Sequence, residues 1–148
     1  MADIRRSRSI AARPQQIWDV LADFGSIGSW ADNVDHSCIL FSGPGGGVVG
    51  TARRVQVKRD ALVERITEFD PPRALAYDIE GLPRRVRRVT NRWTLAEGPG
   101  DSTLVALTST VEMGPRLALA ERVLCRFLAR QSDVMLAGLA TRLEAARV

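Results

Sequence analysis

Three polar side chains of the kinds that move protons or orient carbonyl groups lie in short stretches with strand-like alternation. They are Glu64 in "LVERITEF", Tyr77 in "ALAYDIE" and Asn91 in "VRRVTNRWTLA". A carboxylate shielded from water can serve as a general base, a phenol can donate a proton, and an amide can orient a carbonyl. The structural alternative is that Glu64 forms an ion pair with one of the chain's many arginines, and we favour that alternative for this residue.

The three residues share one face of the predicted sheet with aliphatic and aromatic side chains. Successive side chains of a strand point to opposite faces, so Asn91 and Trp93 face one side while Arg88 and Arg92 face the other. We therefore expect the arginines of this stretch to be solvated and its opposite face to be buried. The same alternation assigns further residues to the inner face: Leu62, Ile66, Leu75, Ile79, Val89, Leu95, Val105, Leu107, Ser109 and Val111.

Two hydrophobic periods along the chain predict the elements that position these residues. A weakly alternating first strand is predicted from Ile4 to Ile10. The next stretch has helical spacing, and the predicted helix begins at Pro14, a residue that suits a first helical turn, and ends at Gly25. A further short helical turn is predicted in "SIGSW", and six strands follow with turn-rich separators such as "KRDA" and "DPPR". Residues 116–146 form one long helix with Gly138 as its weak point. Short links between strands predict an antiparallel meander, so the fold class is α+β.

The stretch "GGGVVG" places Gly45, Gly47 and Gly50 in the G-x-G-x-x-G pattern of dinucleotide-binding loops. Such a loop must open a helix, because the N-terminal amides of that helix hold the pyrophosphate. Here the segment "TARRVQV" follows, and it alternates like a strand. We therefore interpret the glycines as a flexible hairpin loop.

Composition excludes several classes of protein. With 148 residues, of which 45% are hydrophobic and 26% charged, the chain is predicted to form one globular domain over residues 1–148. Its net charge of +4 arises from basic residues interleaved with 17 acids, so we expect no nucleic-acid partner. No apolar run reaches the roughly 18 residues of a membrane span, and the N-terminus lacks a secretory signal. We expect a cytoplasmic protein with no stable membrane insertion.

Metal and redox chemistry have little support in the sequence. Cys38 and Cys125 form no CxxC pair, and His36 is the only histidine. Carboxylates or thiols would have to supply nearly every ligand of a metal centre. We expect two reduced, partly buried thiols, no metal and no other cofactor. The facing of His36 and Cys38 stays open, because "VDHSCILF" gives no clear register.

The order of elements resembles the START-related helix-grip (SRPBCC) superfamily: a strand, two short helices ending in "GSW", a six-strand meander and a long terminal helix. Within it, the chain is most similar to the polyketide cyclase/dehydrase and lipid-transfer branch. The matching stretches are "RPQQIWDVLADFGSIGSW", "GGGVVGTARRV", "LVERITEFDPPRALAYDI" and "NRWTLAEGPGDSTLVALTSTVEMGP". They cover nearly the whole chain. The resemblance implies a curved antiparallel sheet of about seven strands wrapped around the long C-terminal helix, with two short helices between strands 1 and 2.

For function, the resemblance implies a hydrophobic cavity between the sheet and the last helix. Members bind lipids, sterols, polyketides or plant-hormone-like molecules, and some catalyse cyclisation or dehydration largely by shaping the bound chain. No family-wide catalytic set transfers to this sequence. Carried over by position, Trp30 is implied at the short-helix end of the cavity, Tyr77, Asn91, Trp93 and Leu107 on its wall, and Leu124, Phe127 and Leu128 on its helix side. Alternation adds Glu64 to the wall.

Two functions stay open at this point. The first is a carrier or sensor that binds a small hydrophobic molecule, aromatic, lipid or polyketide-like. The second is a polyketide aromatase/cyclase or dehydratase, in which Tyr77, Asn91 and Glu64 orient carbonyls and move protons. A weaker third option is a protein-binding module that uses the basic outer face. The apolar C-terminal helix could also form a homodimer, although the sheet itself needs covering.

Overall fold

The computed structural model describes residues 2–145 as one seven-stranded antiparallel sheet packed against helices. The strands are β1 (Ala2–Ile10), β2 (His36–Phe41), β3 (Ala52–Val57), β4 (Asp60–Asp70), β5 (Ala74–Glu80), β6 (Val86–Glu97) and β7 (Thr103–Met113). Their order across the sheet is β1-β7-β6-β5-β4-β3-β2. Strands β2 to β7 therefore form the predicted meander, and β1 joins it beside β7. This architecture confirms the α+β helix-grip fold.

Two short helical segments lie between β1 and β2, as predicted. Helix α1 spans Pro14–Ala22, and the Gln16 side chain accepts a hydrogen bond from the Arg13 backbone N–H at 3.0 Å at its start. A 3₁₀ helix, Phe24–Ser29, follows. The prediction that the first helix runs to Gly25 is wrong, because α1 ends three residues earlier and Gly25 lies inside the 3₁₀ helix. A side chain at Gly25 would lie 2.8 Å from Ile39, so this glycine lets the 3₁₀ helix approach β2.

The long C-terminal helix α2 spans Ala118–Ala145, two residues later at its start than predicted, and the predicted final residue 146 lies outside the described residues. One face of its C-terminal half is buried in the core, with Leu136, Leu139 and Leu143 all less than a tenth exposed. Gly138 is a packing requirement rather than a weak point, since a Cβ there would collide with the Trp30 carbonyl oxygen. In residues 2–145 no helix is both long and apolar enough to cross a membrane.

The glycine-rich stretch forms the predicted loop between β2 and β3. It contains a short 3₁₀ turn, Pro44–Gly46, and Gly45, Gly46 and Gly50 have φ angles of +66°, +78° and +93°, which favour glycine. Strand β3 follows this loop instead of a helix. The predicted strand began at Val48, whereas β3 begins at Ala52 because the loop extends to Thr51.

The two faces of the sheet divide as the alternation predicted. On β6, Asn91 and Trp93 are buried, whereas Arg88 and Arg92 are exposed. Edge strand β2 differs, since His36, Cys38 and Phe41 are all exposed. Cys38 is thus an exposed thiol rather than a partly buried one, because β2 has a strand neighbour on only one side.

Candidate functional site

A cavity of about 500 Å³ opens between the β3–β5 half of the sheet and the middle of α2. Most of its wall is aliphatic. The exposed members of the lining, Asp60, Ala61, Gly81, Pro83 and Phe127, mark its opening. The lining residues are Ile27, Asn33, Val34, Val55, Val57, Asp60, Ala61, Leu62, Glu64, Ile79, Gly81, Leu82, Pro83, Asn91, Phe127, Leu128, Gln131 and Met135.

Both periodicities of the sequence contribute to this wall. On the strands, residues two apart share a face, so Val55 and Val57 line the cavity from β3, and Leu62 and Glu64 line it from β4. On α2, Phe127, Gln131 and Met135 are spaced by four and lie on one side of the helix. Met135 is buried whereas Phe127 is 52% exposed, so α2 passes from the core to the rim of the opening.

A buried ion pair lies at the inner end of this wall. Arg53 on β3 and Glu64 on β4 are direct cross-strand partners. The Arg53 Nε and Nη2 atoms contact Glu64 Oε1 at 2.8 and 2.7 Å. Only Glu64 lines the cavity, since Arg53 is 3% exposed and lies behind it. The favoured interpretation of Glu64, an ion pair with an arginine, is thus confirmed.

Arg53 is held rigidly behind Glu64 by three further contacts. Its Nη1 donates to the Phe24 carbonyl oxygen at 2.8 Å. The guanidinium carbon lies 3.7 Å from the centre of the Phe24 ring and 4.7 Å from that of Tyr77. Stacking on two aromatic faces suits a guanidinium, which is planar and weakly hydrated. Arg53 therefore serves as a fixed counter-charge to Glu64.

A row of directly opposed residues runs from β5 to β7 beside this pair. Tyr77 pairs with Asn91, and Asn91 with Ser109. The Tyr77 hydroxyl accepts from Asn91 Nδ2 at 3.4 Å and from Trp93 Nε1 at 3.3 Å, and Ser109 Oγ donates to Asn91 Oδ1 at 2.6 Å. The row fixes the Asn91 amide, which is the member that lines the cavity.

The Tyr77 phenol is a neutral group in this setting. Burial raises its pKa above the ordinary value, and the nearby Glu64 carboxylate raises the pKa further, while Arg53 opposes the shift. The side chain is 1% exposed and does not line the cavity. Tyr77 therefore lies outside the lining and fixes the Asn91 amide through its hydroxyl.

The helix side of the cavity carries an amide pair. Asn33, which follows the 3₁₀ helix, donates from Nδ2 to Gln131 Oε1 on α2 at 2.7 Å. Asn33 Oδ1 is buried and has no hydrogen-bond partner within residues 2–145. Buried acceptors are nearly always satisfied in native proteins, so this oxygen is a candidate for contact with a bound molecule.

Four of the nine residues expected at the site line the cavity: Glu64, Asn91, Phe127 and Leu128. The other five do not. Trp30, Tyr77, Trp93 and Leu107 are buried in the core, and Leu124 is half-buried on α2. Trp30 packs against Trp93 with ring centres 5.9 Å apart, so the two indoles contact each other in the core and neither lines the cavity. Contact of any of the nine with a ligand stays a prediction.

Sequence reasoning missed Arg53, Asn33 and Gln131. Arg53 had a signal, because the tight turn at Lys58 and Arg59 pairs Val57 with Asp60 and so sets Arg53 opposite Glu64. Asn33 and Gln131 had none, since they lie far apart in sequence and outside the strands. Among residues 2–145, no three His, Cys, Asp or Glu side chains are grouped so as to hold a metal ion.

Several solved structures of other proteins have the same architecture as this chain. In Bacillus cereus, the protein XoxI has a structure that matches with a TM-score of 0.81 at 20% identity, over 100% of this chain and 99% of that one. The Zhui aromatase/cyclase from Streptomyces sp. R1128 matches with a TM-score of 0.79 at 19% identity, over 97% and 93% of the two chains. A START superfamily protein from Mycobacterium smegmatis matches with a TM-score of 0.74 at 15% identity, over 97% and 98%.

These likenesses, all below 25% identity, show a shared fold. No curated protein matches the chain significantly by sequence. A family match, in contrast, covers residues 1–144 and carries the description polyketide cyclase / dehydrase and lipid transport. This confirms the resemblance inferred from the sequence. The chain belongs to the polyketide cyclase / dehydrase and lipid transport family.

Proposed function

We propose that the protein binds a small, largely apolar molecule in the cavity between β3–β5 and α2, as a carrier or sensor. The observation that supports this most directly is the cavity itself, with its volume of about 500 Å³ and its predominantly aliphatic wall. Small-molecule sites span roughly 300–1,000 Å³ and combine apolar walls with a few placed polar groups. Family membership and the helix-grip fold are consistent with this use.

The expected affinity is moderate. Burial of about 300 Å² of ligand surface at about 25 cal/mol per Å² contributes roughly 7 kcal/mol before association costs. Apolar contact alone therefore gives micromolar binding at best. Tighter binding needs polar contacts, for which Glu64, Asn91 and Asn33 are in place on the wall.

A pair of matched substitutions tests the proposal. Val57→Phe adds a ring inside the cavity, whereas Val123→Phe makes the same change at a residue of α2 that is 62% exposed and outside the lining. An apolar fluorescent probe should bind the wild type and Val123→Phe alike and bind Val57→Phe at least tenfold more weakly. Thermal unfolding of both variants checks that they are folded. Equal binding by both variants, or no binding by the wild type, contradicts the proposal.

Native mass spectrometry of the purified protein provides a second test that requires no choice of probe. A carrier or sensor that retains its ligand should show an additional small-molecule mass. That mass should be lost from Val57→Phe and kept in Val123→Phe. Retention of the same mass by Val57→Phe would place it outside the cavity and contradict the assignment.

A second candidate is catalysis in the same cavity, as a polyketide aromatase/cyclase or dehydratase. The observation that favours it is the presence of a carboxylate, Glu64, and a fixed amide, Asn91, on one apolar wall. In that role Glu64 would take a proton from an activated methylene while Asn91 orients a carbonyl. Tyr77, which lies behind Asn91, would act only by positioning it.

The catalytic candidate is tested with a short β-polyketone thioester, whose cyclised and dehydrated products are followed by mass spectrometry. The protein should accelerate loss of water, and Glu64→Gln should abolish the acceleration while remaining folded. The substitution Glu68→Gln, on the same strand but at a side chain that is 41% exposed and outside the lining, should have no effect. The same product rate with and without the protein rules this candidate out.

A further inference from the structure

The charge of the cavity wall is opposite to that of the whole protein. The chain carries 21 lysines and arginines against 17 acidic residues. Among the described residues, however, the charged side chains that line the cavity are both carboxylates, Asp60 at its opening and Glu64 at its inner end. Within residues 2–145, no arginine or lysine lines the cavity. A ligand therefore meets negative charge inside a basic protein.

The Glu64 carboxylate has one oxygen left for a ligand. Both contacts from Arg53 end on Oε1, and Oε2 takes no part in that ion pair. Arg53 cannot turn toward a ligand, because its other nitrogen is bonded to the Phe24 carbonyl and its plane lies between two aromatic rings. The pair therefore presents Glu64 Oε2 to the cavity as a hydrogen-bond acceptor, and Arg53 offsets only part of the charge of this carboxylate.

The remaining polar groups of the wall strengthen this bias toward acceptors. Asn33 Oδ1, which is buried and lacks a partner within residues 2–145, is a second acceptor on the helix side. Asn91 Oδ1 accepts from Ser109, and Nδ2 donates one of its two hydrogens to the Tyr77 hydroxyl. Glu64 and Asn33 thus offer acceptor oxygens to the cavity, while the donors on its wall, such as Gln131 Nε2, belong to neutral amides.

We propose that the ligand bears a hydrogen-bond donor, an alcohol, phenol or amine, which it directs at Glu64, and that the cavity rejects molecules ending in a carboxylate. The inference rests on the proposed binding function and specifies its ligand class. A donor that meets a carboxylate makes a charge-assisted bond, which is the stronger kind. A ligand carboxylate would be desolvated beside a like charge with no free cation to pair with.

Three naphthalenes substituted at the same ring position form the test. Naphthol is a neutral donor at neutral pH, methoxynaphthalene has the same ring without a donor, and naphthoate is an anion. We expect naphthol to bind roughly tenfold or more tightly than methoxynaphthalene, the effect of a net hydrogen bond to a charged group, and naphthoate to bind least. Titrations are run at high salt, which screens exposed basic residues near the opening such as Arg59 and Arg84.

The possible results distinguish failure of the donor preference from failure of the proposed ligand-binding function. If none of the three compounds binds, the proposed function fails. If methoxynaphthalene binds but naphthoate binds as tightly as naphthol, the cavity is a binding site and the donor inference is overturned. Because these comparisons use the wild type, they decide the question even if substitutions at Glu64 prevent folding.

Substitution then assigns the preference to a residue. Glu64→Gln removes the carboxylate and leaves Arg53 without its counter-charge, so naphthoate should gain affinity and the preference for naphthol should shrink to a few-fold or reverse. Glu68→Gln is the matched control, since this glutamate lies on the same strand, is exposed and pairs with Arg92. It should leave the order of the three compounds unchanged. An unchanged order in folded Glu64→Gln overturns the role of Glu64.

Discussion

Arg53 and Glu64 face each other directly across β3 and β4, with Nε donating to Oε1 at 2.8 Å and both residues less than a tenth exposed. A buried ion pair contributes little net stability, because desolvation offsets the attraction, but removal of one partner leaves an uncompensated charge. The stability of the protein therefore depends on keeping both residues of the pair or replacing both together. It also places a carboxylate where an apolar cavity would otherwise exclude one.

Loss of one partner of this pair should cost more stability than loss of both. Glu64→Ala should lower the free energy of unfolding by about 3–5 kcal/mol, because Arg53 stays buried without a counter-charge. The double substitution Arg53→Met with Glu64→Leu should cost less than Glu64→Ala alone. Urea denaturation measures both. As a control, Glu68→Ala, which breaks the exposed pair with Arg92, should cost about 0–1 kcal/mol. Equal costs at Glu64 and Glu68 would contradict the burial argument.

Tyr77 should remain a neutral phenol until the protein unfolds at alkaline pH. Burial raises its pKa above the ordinary 10.0, so the stability linked to this group is complete below that value and is lost as pH rises above it. Tyr77 is the only tyrosine of the chain, so tyrosinate absorbance reports on it alone. We expect titration near pH 10 in denaturant and a higher midpoint, coincident with unfolding, in buffer. The same midpoint in both conditions would contradict this.

Gly138→Ala should destabilise the protein even though alanine is the better helix former by about 1 kcal/mol. The added methyl group would collide with the Trp30 carbonyl, and displacement of α2 should produce a net cost of about 1–3 kcal/mol. Thermal unfolding measures the difference. Gly114→Ala is the control, because its Cβ would lie 3.7 Å from the Leu117 side chain, an ordinary van der Waals contact, so it should change stability by no more than about 0.5 kcal/mol. If Gly138→Ala stabilised the protein, the close packing of α2 against the Trp30 carbonyl would be contradicted.

Phe127 and Leu139 should separate ligand binding from stability, although both are apolar residues of α2. Phe127 lines the cavity and is 52% exposed, so Phe127→Ala should weaken binding of an apolar ligand at least several-fold and cost less than about 1 kcal/mol of stability. Leu139 is fully buried away from the lining, so Leu139→Ala should cost about 2–5 kcal/mol. Titration and urea unfolding of both variants test this. A Phe127→Ala protein with unaltered affinity would exclude that side of α2 from the site.

The fold was predictable because the strands other than β2 carry their own alternation of buried and exposed residues. Tyr77, Asn91 and Trp93 were expected on the inner face, and all three are buried. Strand β5 matches its predicted bounds, 74–80, because turn-forming residues flank it on both sides. The predicted end of the first helix at Gly25 is wrong because the position of this glycine depends on a contact with a residue distant in sequence. Its role depends on contact with Ile39 of β2, and a local pattern does not reveal that contact.

The border between cavity and core was not predictable in the same way. Alternation assigns a residue to the inner face, but the path of α2 and the 3₁₀ helix over that face decides whether the residue meets empty space or another side chain. Trp93 meets Trp30, whereas Asn91, two residues earlier, borders the cavity. The buried Arg53 was within reach of sequence reasoning through the register of its hairpin.

The pairing of β1 with β7 has a consequence for the order of assembly. Every other neighbouring pair in the sheet is consecutive along the chain and can close as a hairpin, but Ile10 is opposite Thr103 and Ala2 is opposite Val111. Contacts between such distant residues form late and slowly. During synthesis β1 is made long before β7, the strand with which it pairs. The β1 segment therefore stays without a strand partner until β7 has been synthesised and has joined the sheet.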